Sequence, residues 1–218
     1  MIHESTEENG ICDLQDALER LVCKTGIGIL ASCRKIEDGD ENALTFEEAR
    51  PLDRYDIKVR RASGAGRIIA KALLARAGAG KINDLLRSEA GFPLWPNGFV
   101  GSISHDPEFA VAAVARDTQI KSIGIDLESN VPISHDALNI VTTKSERLQI
   151  GGDLLIAKYL FSMKEAVYKA LYMIDYKFLE FKDVNIDIER CVAYTNDGRL
   201  ITVILEICPR IVSMAIIN

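Results

Sequence analysis

Cysteine is scarce in this sequence and is not arranged in pairs. The 218 residues include five cysteines, an odd number, and none of them forms a Cys-x-x-Cys spacing. An odd count excludes a complete disulfide framework, and the missing spacing gives no zinc-site pattern. We therefore expect reduced thiols, most of them buried in the core.

Long hydrophobic runs are also missing. The longest apolar runs, residues 200–205 and 211–217, have the length of β-strands, whereas a membrane-spanning helix needs about 20 apolar residues. Residues 1–10 are acidic and polar and lack the basic and then apolar pattern of a targeting segment. The sequence therefore predicts a cytoplasmic protein that does not bind membranes.

Positive charge is in the minority, and much of it is confined to one segment. The net charge is −6, yet residues 58–81 contain seven Lys and Arg residues and no acidic residue. Proteins that bind nucleic acid usually spread positive charge over a face that contacts several phosphates, so we expect no nucleic-acid partner. A confined basic segment favours a compact anionic ligand. The alternative is a solvated helix whose basic residues face water, because the segment also has an apolar stripe of helical period.

An acidic strand is predicted at residues 122–128. Branched aliphatic residues alternate there with small or acidic ones, which is the period of a half-buried strand. Asp126 and Glu128 therefore share one face, and Gly124 is expected to leave open space on that face for a ligand. The opposite face is expected to point into the core with Ile123, Ile125 and Leu127.

A long helix is predicted at residues 154–174. Its apolar stripe excludes Glu165, which falls on nearly the opposite face together with three aromatic residues. One interpretation is a solvated face on which Glu165 and Lys169 form an i,i+4 pair that contributes only about 0.2–0.5 kcal/mol. The aromatic residues on this face, which favour the lining of a cleft, are Phe161, Tyr168 and Tyr172.

Asp126, Glu128 and Glu165 form a candidate metal site. Carboxylates held close together repel each other by about 4 kcal/mol for a pair about 4 Å apart near a protein surface, so a bound cation is expected. Oxygen ligands favour magnesium, or manganese, over zinc, and magnesium commonly also binds a substrate phosphate. We therefore expect a substrate that carries a phosphoryl group. The alternative is that Asp126 and Glu128 lie on a solvent-facing strand unrelated to Glu165.

Ser104 and His105 end a predicted strand at residues 101–105. The Gly-x-Ser-x-Gly turn of serine hydrolases is absent, which argues against a nucleophilic serine. A histidine at a strand end is suited either to phosphate contact or to capping a turn. The residue pattern leaves both interpretations open.

The order of predicted elements indicates an α+β fold with two similar halves, residues 1–118 and 119–218, each an antiparallel sheet packed with helices. The first half contains a short helix, a strand, a loop with a helical turn, the basic segment and two strands, at residues 13–22, 26–33, 37–48, 58–81, 101–105 and 109–115. The second half contains the acidic strand, a helix opened by a capping box at Thr143, the long helix, and three strands at residues 182–188, 199–207 and 211–217.

Three motifs in this order resemble those of the 4′-phosphopantetheinyl transferases, in particular the monomeric, pseudo-twofold branch of the enterobactin synthase component D type. The motifs are residues 95–105, 122–128 and 161–169, and the resemblance covers about residues 58–175. It implies that the chain transfers the phosphopantetheine arm of coenzyme A to a serine of an apo acyl or peptidyl carrier protein and releases adenosine 3′,5′-bisphosphate. Such carrier proteins serve nonribosomal peptide, siderophore and polyketide synthesis.

The resemblance also implies roles for individual residues. Asp126, Glu128 and Glu165 resemble the family's magnesium ligands. Glu165, or a water that it orients, is expected to accept the proton of the carrier serine, and Lys169 to stabilise the departing bisphosphate. The residues implied in coenzyme A binding are Lys164 and Lys169 at the diphosphate, Ser104 and His105 at the phosphates, and Arg60, Arg67 and Arg87 at the adenosine end.

Several alternatives stay open. The family often has an acidic residue or a serine followed by an aromatic residue within the basic helix, whereas this chain has Ala62 and Ser63, so Arg61 is an alternative to Arg60. Two other functions fit the same residues. One is a coenzyme A or nucleotide-binding module without transfer activity, and the other is a magnesium-dependent phosphohydrolase.

The resemblance places carrier-protein docking after the acidic strand, here at about residues 131–160. A chain that contains both halves of the fold makes a monomer sufficient. The apolar residues of this region, which are equally suited to docking and to the core, are Leu138, Ile140, Val141, Leu148 and Ile150.

Overall fold

The computed structural model describes residues 2–218 and the side chains of residues 10–218. It has an α+β fold with two antiparallel sheets, as predicted. The helices are α1 (Ile2–Thr25), α2 (Phe46–Ala49), α3 (Ile57–Arg76), α4 (His135–Val141), α5 (Lys144–Gln149) and α6 (Leu154–Asp175). The strands are β1 (Leu30–Lys35), β2 (Phe99–His105), β3 (Phe109–Arg116), β4 (Ser122–Glu128), β5 (Val184–Asp187), β6 (Val192–Thr195), β7 (Leu200–Glu206) and β8 (Ile211–Ile217). Short 3-10 helices lie at Asp40–Ala43, Arg50–Leu52 and Phe181–Asp183.

The first sheet has the order β1-β3-β2, and α3 packs across it. Two glycines allow α3 to approach its neighbours closely. A Cβ on Gly64 would lie 1.9 Å from the backbone oxygen of Asp40, and a Cβ on Gly66 would lie 2.6 Å from a methyl group of Ile103. The basic helix therefore lies directly against β2, the strand that ends in Ser104 and His105.

The second sheet has the order β4-β8-β7-β6-β5, and α6 packs on β4, β8 and β7. Gly124 lies where α6 crosses β4, and a Cβ at this position would lie 1.9 Å from the backbone oxygen of Ala166. The expectation that Gly124 leaves space for a ligand is therefore wrong, because the helix backbone fills that space. The glycine instead lets α6 bring Glu165 close to the acidic strand.

One hydrophobic core joins the two sheets. It contains Leu14, Leu18 and Leu21 of α1 together with buried residues of β3, β4, β7 and β8. The core face of β4 is buried as predicted, since Ile123, Ile125 and Leu127 are each at most 1% exposed. Helix α1 thus packs against strands on both sides of the molecule.

Several predictions differ from the structure in extent. Helix α1 is longer than its predicted range, and the second sheet contains a fourth strand after α6, β6, that the sequence did not predict. The capping box at Thr143 is confirmed at the start of α5, with Glu146 as its acidic partner. The two halves share the order of a strand, a long helix and further strands, but their sheets have three and five strands.

The cysteines are free thiols, but the expectation that most are buried is wrong. Cys33 is half-buried and the other four are exposed. Within the part of the chain that the structure describes, no helix is both long enough and apolar enough to cross a bilayer.

Candidate active site

Asp126 is the centre of the candidate site and is only 4% exposed. Its Oδ1 accepts hydrogen bonds from Lys169 Nζ at 2.7 Å and from Ser104 Oγ at 3.1 Å. The strand period of β4 points Asp126 toward α6, and Ser104 reaches it from the end of β2. Three elements, β2, β4 and α6, therefore meet at one carboxylate.

The remaining oxygen of Asp126 has no hydrogen-bond donor. Asp126 Oδ2 is buried and is without a partner among the described residues. An ionised carboxylate oxygen buried in this way loses its hydration without replacement, which is unfavourable unless a cation or a donor arrives. Asp126 therefore has room for one more partner besides Lys169, either a cation or a hydrogen-bond donor.

Asp126 and Glu128 lie close enough to Glu165 to influence its ionisation. Burial raises the pKa of Glu165, and the negative charges of Asp126 and Glu128 raise it further, against the opposing charge of Lys169. Glu128 is half-buried and accepts a hydrogen bond from Lys158 Nζ at 2.5 Å. The charges of both predicted β4 carboxylates, Asp126 and Glu128, therefore act on Glu165.

The side chains of this group fit a divalent cation in part. In the described residues, no set of three or more His, Cys, Asp or Glu side chains forms a ready metal site. The ammonium groups of Lys169 and Lys158 instead pair with one oxygen of Asp126 and one oxygen of Glu128, respectively. The unpartnered Asp126 oxygen nevertheless fits a cation, because it is a buried acceptor without a donor, and Asp126 and Glu128 place two negative charges near Glu165.

Lys169 contacts the predicted metal ligand and the end of β2 together. Besides Asp126, its ammonium donates to Ser104 Oγ at 2.9 Å and to the Ile125 backbone oxygen at 3.0 Å. Ser104 Oγ also accepts from the backbone N–H of Leu127 at 3.2 Å. Ser104 thus holds β2 to β4, and Lys169 is fixed at the point where the two strands meet.

Two arginines converge beside this group. Arg67 Nη1 and Arg87 Nη2 both donate to the hydroxyl oxygen of Ser63, at 2.7 Å and 2.8 Å. Burial and the charge of Arg87 lower the pKa of Arg67 to about 10, against the opposing charge of Glu48. Arg67 Nη2 and Arg87 Nε are buried and have no acceptor in the described residues. A close pair of guanidinium groups with unused donors is suited to bind a phosphate.

A cleft of about 330 Å³ connects the two arginines to Asp126 and Lys169. A larger cavity of about 630 Å³ adjoins it through Ala62 and His105 and extends to Glu128. The lining residues of the first cleft that were predicted as site residues are Arg67, Arg87, Ser104, His105, Asp126 and Lys169. The fold therefore assembles most of the candidate residues around two cavities that share Ala62 and His105.

His105 stands between the two cavities at the solvent end of β2. Desolvation by surrounding atoms lowers the pKa of His105, although the side chain still reaches solvent, and the charges of Lys169 and Arg87 contribute to the lowering. A neutral imidazole can donate one hydrogen bond and accept another. His105 is thus placed as a polar contact for a ligand that fills either cavity.

Lys164 is not brought to this cleft. Its ammonium is 1% exposed and donates to Glu146 Oε2 at 2.7 Å and to the backbone oxygens of Val141 and Phe181, each at 2.9 Å. All three N–H donors are therefore used inside the protein. The expected diphosphate contact of Lys164 does not fit this arrangement.

Arg60 and Arg61 differ in their contacts. Arg61 lines the larger cavity and pairs with Asp38 at 2.5 Å and with Glu41 at 3.2 Å. Arg60 Nε is buried and lacks an acceptor among the residues described. Both arginines thus lie near the start of α3, and neither is assigned to a ligand by its contacts.

Within the predicted docking region, residues 131–160, three large apolar side chains face solvent, and Val131 is 60% exposed. Ile140 is 62% exposed and Leu148 is 85% exposed. Val141 and Ile150 are buried. The region therefore contributes both to the core and to an exposed apolar surface.

Sequence reasoning missed two polar residues and one aromatic residue of the site. Ser63 joins the two arginines and Lys158 pairs with Glu128. Phe92 stacks on Tyr172, with ring centroids 4.2 Å apart, and so covers the aromatic face of α6. Ser63 and Arg67 are four residues apart on α3, so helical spacing could have suggested that contact. The contacts of Ser63 with Arg87, of Lys158 with Glu128 and of Phe92 with Tyr172 join parts of the chain that are distant in the sequence.

Two family models match the chain. Residues 47–115 match the 4′-phosphopantetheinyl transferase N-terminal domain, and residues 122–205 match the 4′-phosphopantetheinyl transferase superfamily. The matches lie on either side of the point where β3 ends and β4 begins. They include every candidate site residue named above.

Several curated proteins with similar sequences are named 4′-phosphopantetheinyl transferases. The chain is 36% identical over 157 residues to 4′-phosphopantetheinyl transferase Svp of Streptomyces mobaraensis, which is 69% of this chain and 63% of that protein. It is 33% identical over 135 residues to 4′-phosphopantetheinyl transferase Npt of Nocardia iowensis, covering 61% of this chain and 60% of that protein. It is 36% identical over 113 residues to enterobactin synthase component D of Salmonella typhimurium, covering 49% of this chain and 45% of that protein.

The chain thus spans less than two thirds of the length of each of these curated relatives. The two family models nevertheless follow one another in order and together account for most of the chain. The chain belongs to the 4′-phosphopantetheinyl transferase superfamily.

Proposed function

We propose that this chain transfers the 4′-phosphopantetheine arm of coenzyme A to a serine of an apo acyl or peptidyl carrier protein. The observation that carries the proposal is the group formed by Asp126, Glu128, Glu165 and Lys169 beside a cleft with two partly unsatisfied arginines. Carboxylates next to basic groups suit a diphosphate substrate and a divalent cation together. Family membership supports the same activity.

Coenzyme A occupies the cleft in this proposal, with contributions from both halves of the chain. Residues 1–118 supply the anion contacts, through Arg67, Arg87 and His105, and residues 119–218 supply the carboxylates and Lys169. The spare donors on Arg67 and Arg87 bind a phosphate of the ligand, since buried N–H groups without acceptors are unfavourable until one arrives. Arg60, with its unpartnered Nε, is a further candidate contact at this end.

Asp126, Glu128 and Glu165 are the residues that hold magnesium in this proposal. When bound, the cation supplies a positive charge that stabilises the carboxylates and the diphosphate. Lys169 already stabilises Asp126 through its ammonium. The same ammonium lies within reach of the cleft and stabilises negative charge on the leaving group.

Glu165 is the general base of the transfer step in this proposal. The carrier serine oxygen forms a bond to the phosphorus that bears the pantetheine arm, and the bond from that phosphorus to the bridging oxygen breaks. The serine proton passes to Glu165, directly or through a water, and the leaving group departs as adenosine 3′,5′-bisphosphate. The raised pKa of Glu165 supports this role, because a more basic carboxylate is a better proton acceptor.

The experiment incubates the protein with coenzyme A, magnesium and an apo carrier protein, and the mass of the carrier is measured. We expect the carrier to gain one phosphopantetheine group. Release of free phosphopantetheine without a gain on the carrier would instead establish a phosphohydrolase, and coenzyme A binding without either product would establish a binding module. Omitting magnesium tests the cation separately.

Glu165→Gln tests the proposed base. The substitution keeps the shape of the side chain but removes the proton acceptor, so we expect labelling to fall by at least about 100-fold. The unfolding midpoint should stay unchanged or rise, since a buried charge that repels its neighbours is removed. Glu189→Gln, the same change at an exposed turn after β5, should label the carrier at the wild-type rate. Retained labelling by Glu165→Gln would rule out this assignment.

The carrier protein docks, in this proposal, on the surface formed by residues 131–160, where Ile140 and Leu148 offer exposed apolar contacts. The enzyme acts in the cytoplasm as a monomer. Free cysteines are compatible with a reducing compartment, and one chain contains all of the proposed catalytic residues.

A further inference from the structure

Arg210 joins the two sheets beside the proposed active site without being one of its predicted residues. It directly precedes β8, whose first residue, Ile211, is the register partner of Glu128 on β4. Its side chain extends to the turn between β2 and β3, which follows His105. Arg210 therefore connects the end of the sheet that holds Glu128 to the turn that holds His105.

The contact is made through the carboxylate of Asp106, which is 3% exposed at its side chain. Asp106 Oδ1 accepts from the backbone N–H groups of Glu108 and Phe109, each at 2.7 Å, and so fixes the turn. Arg210 Nε lies 3.4 Å from Asp106 Oδ2. The buried carboxylate thus receives its positive partner from the opposite sheet.

Two more contacts hold Arg210 in the same place. Its Nη2 donates to Glu108 Oε2 at 2.6 Å, and its guanidinium carbon lies 5.3 Å from the centre of the Phe109 ring. Both partners belong to the β2–β3 turn or the start of β3. A planar guanidinium that contacts two carboxylates and a ring is more restrained than a single surface ion pair.

We propose that Arg210 is a positioning residue for coenzyme A binding, and this inference rests on the proposed function. It holds the β2–β3 turn at a fixed distance from the end of β4, so that His105 stays at the boundary of the two cavities. The lining of the larger cavity includes His105, Asp106 and Pro107 of the β2–β3 turn as well as Glu128 and Ser129 at the end of β4. Arg210 fixes the separation of these two parts of the lining.

Arg210→Met removes the charge and keeps much of the side-chain length. We expect coenzyme A binding, measured by calorimetry, to weaken by about 3- to 30-fold, which is the range for residues that act on a site through others. The KM for coenzyme A should rise by a similar factor, while kcat at saturating coenzyme A stays within about twofold. Arg210→Lys should recover part of the affinity, because an ammonium can pair with Asp106 but lacks the planar fork.

Arg20→Met is the matched control. Arg20 pairs with Glu206 at the end of β7, so its loss removes an ion pair from the same β7–β8 region without touching the β2–β3 turn. We expect wild-type affinity for coenzyme A. Equal weakening by Arg20→Met and Arg210→Met would overturn the inference, because general loosening of the fold would explain both.

Two further measurements separate positioning from other roles. Backbone amide exchange at Glu108 and Phe109 should be faster in Arg210→Met than in the wild type, and this readout needs no ligand. On a His105→Ala background, Arg210→Met should weaken coenzyme A binding by much less than it does in the wild type, since Arg210 acts through His105. Unchanged exchange, or additive effects on binding, would overturn the inference.

The proposed function and this inference can fail separately. If the wild-type protein binds coenzyme A but labels no carrier, the transferase assignment fails while the binding test of Arg210 is still decisive. If the wild type labels its carrier and Arg210→Met binds coenzyme A equally well, the inference alone fails. If the wild type does not bind coenzyme A, both fail.

Discussion

Gly124 lies two residues before Asp126 on the same face of β4, and the backbone of α6 occupies the position of its missing side chain. Close contact between α6 and β4 is what carries Glu165 to the strand with the other carboxylates. The absence of a side chain at position 124 is therefore necessary for the geometry of the site. Any side chain there has to push the helix, and Glu165 with it, away from Asp126.

Gly124→Ala should reduce both stability and labelling activity. The added Cβ would lie 1.9 Å from the Ala166 backbone oxygen, so α6 must shift, and overpacking of this kind costs about 1–3 kcal/mol or more. Urea unfolding measures the loss of stability, and carrier labelling measures the displacement of Glu165. Wild-type activity in Gly124→Ala would show that the site tolerates movement of α6.

The matched control is Gly10→Ala. Gly10 lies within α1, and a Cβ there would have its nearest neighbour, a ring atom of Phe109, at 4.0 Å. Removing the flexibility of a helical glycine is expected to stabilise the protein by about 0.5–1 kcal/mol. If stability falls in Gly124→Ala and rises in Gly10→Ala, the loss at position 124 is due to contact with α6.

The sequence was sufficient to locate the carboxylates because their placement depends on local periods. Alternation along β4 puts Asp126 and Glu128 on one face, and the helical period separates Glu165 from the apolar stripe of α6. The sequence could not reveal what these faces meet. Gly124 has the same local pattern whether a ligand or a helix backbone lies beside it, and only the packing of α6 distinguishes the two.

At the scale of secondary-structure elements, Glu146 is the point where α5, α6 and β5 are joined. Its Oε2 accepts from the backbone N–H of Thr143, which closes the capping box of α5, and from Lys164 on α6. Its Oε1 accepts from the backbone N–H of Ile186 in β5. The ion pair is almost fully buried, with both side chains 1% exposed. Lys164, which the family resemblance assigns to a diphosphate, and Glu146, which caps α5, are therefore partners in one buried ion pair.

Lys164→Met should destabilise the protein by about 3–5 kcal/mol, since it leaves a buried carboxylate without its cation. Burial already lowers the pKa of Lys164 despite the attraction of Glu146, which shows how poorly solvated the ammonium is. Coenzyme A affinity should stay within about twofold of the wild type, because the ammonium uses its donors on protein groups. Denaturant unfolding and calorimetry provide the two measurements.

Lys144→Met controls for loss of a positive charge, because Lys144 is exposed at the start of α5. We expect little change in either measurement. A strong loss of coenzyme A affinity in Lys164→Met with unaltered stability would restore the diphosphate contact that the family resemblance implies. The distinction could not be drawn from the sequence, since Lys164 and Glu146 belong to separate motifs.

At the scale of the whole molecule, one core connects the two sheets through α1. Leu14, Leu18 and Leu21 are fully buried, and the same cluster includes residues of β3 and of β4. Family models begin at residue 47 and so do not include α1. The helix that the resemblance left without a role therefore contributes to holding the two sheets together.

Leu18→Ala should lower the free energy of unfolding by about 2–5 kcal/mol, as expected for a fully buried leucine. Because the core is shared, the single tryptophan, Trp95, and the far-UV circular dichroism should report one coincident transition. Leu148→Ala, the same change at a side chain that is 85% exposed, should have almost no effect. Two separate transitions in Leu18→Ala would indicate that the sheets unfold independently.

The position of β8 determines when the site can form during synthesis. In its sheet β4 has β8 as its hydrogen-bonded neighbour, and β8 separates β4 from β7. Residues 211–217 leave the ribosome long after Asp126, Glu128 and Glu165 have emerged. The nascent chain therefore carries its acidic strand unpaired on that edge, and the carboxylates reach their final register only after translation has passed residue 217.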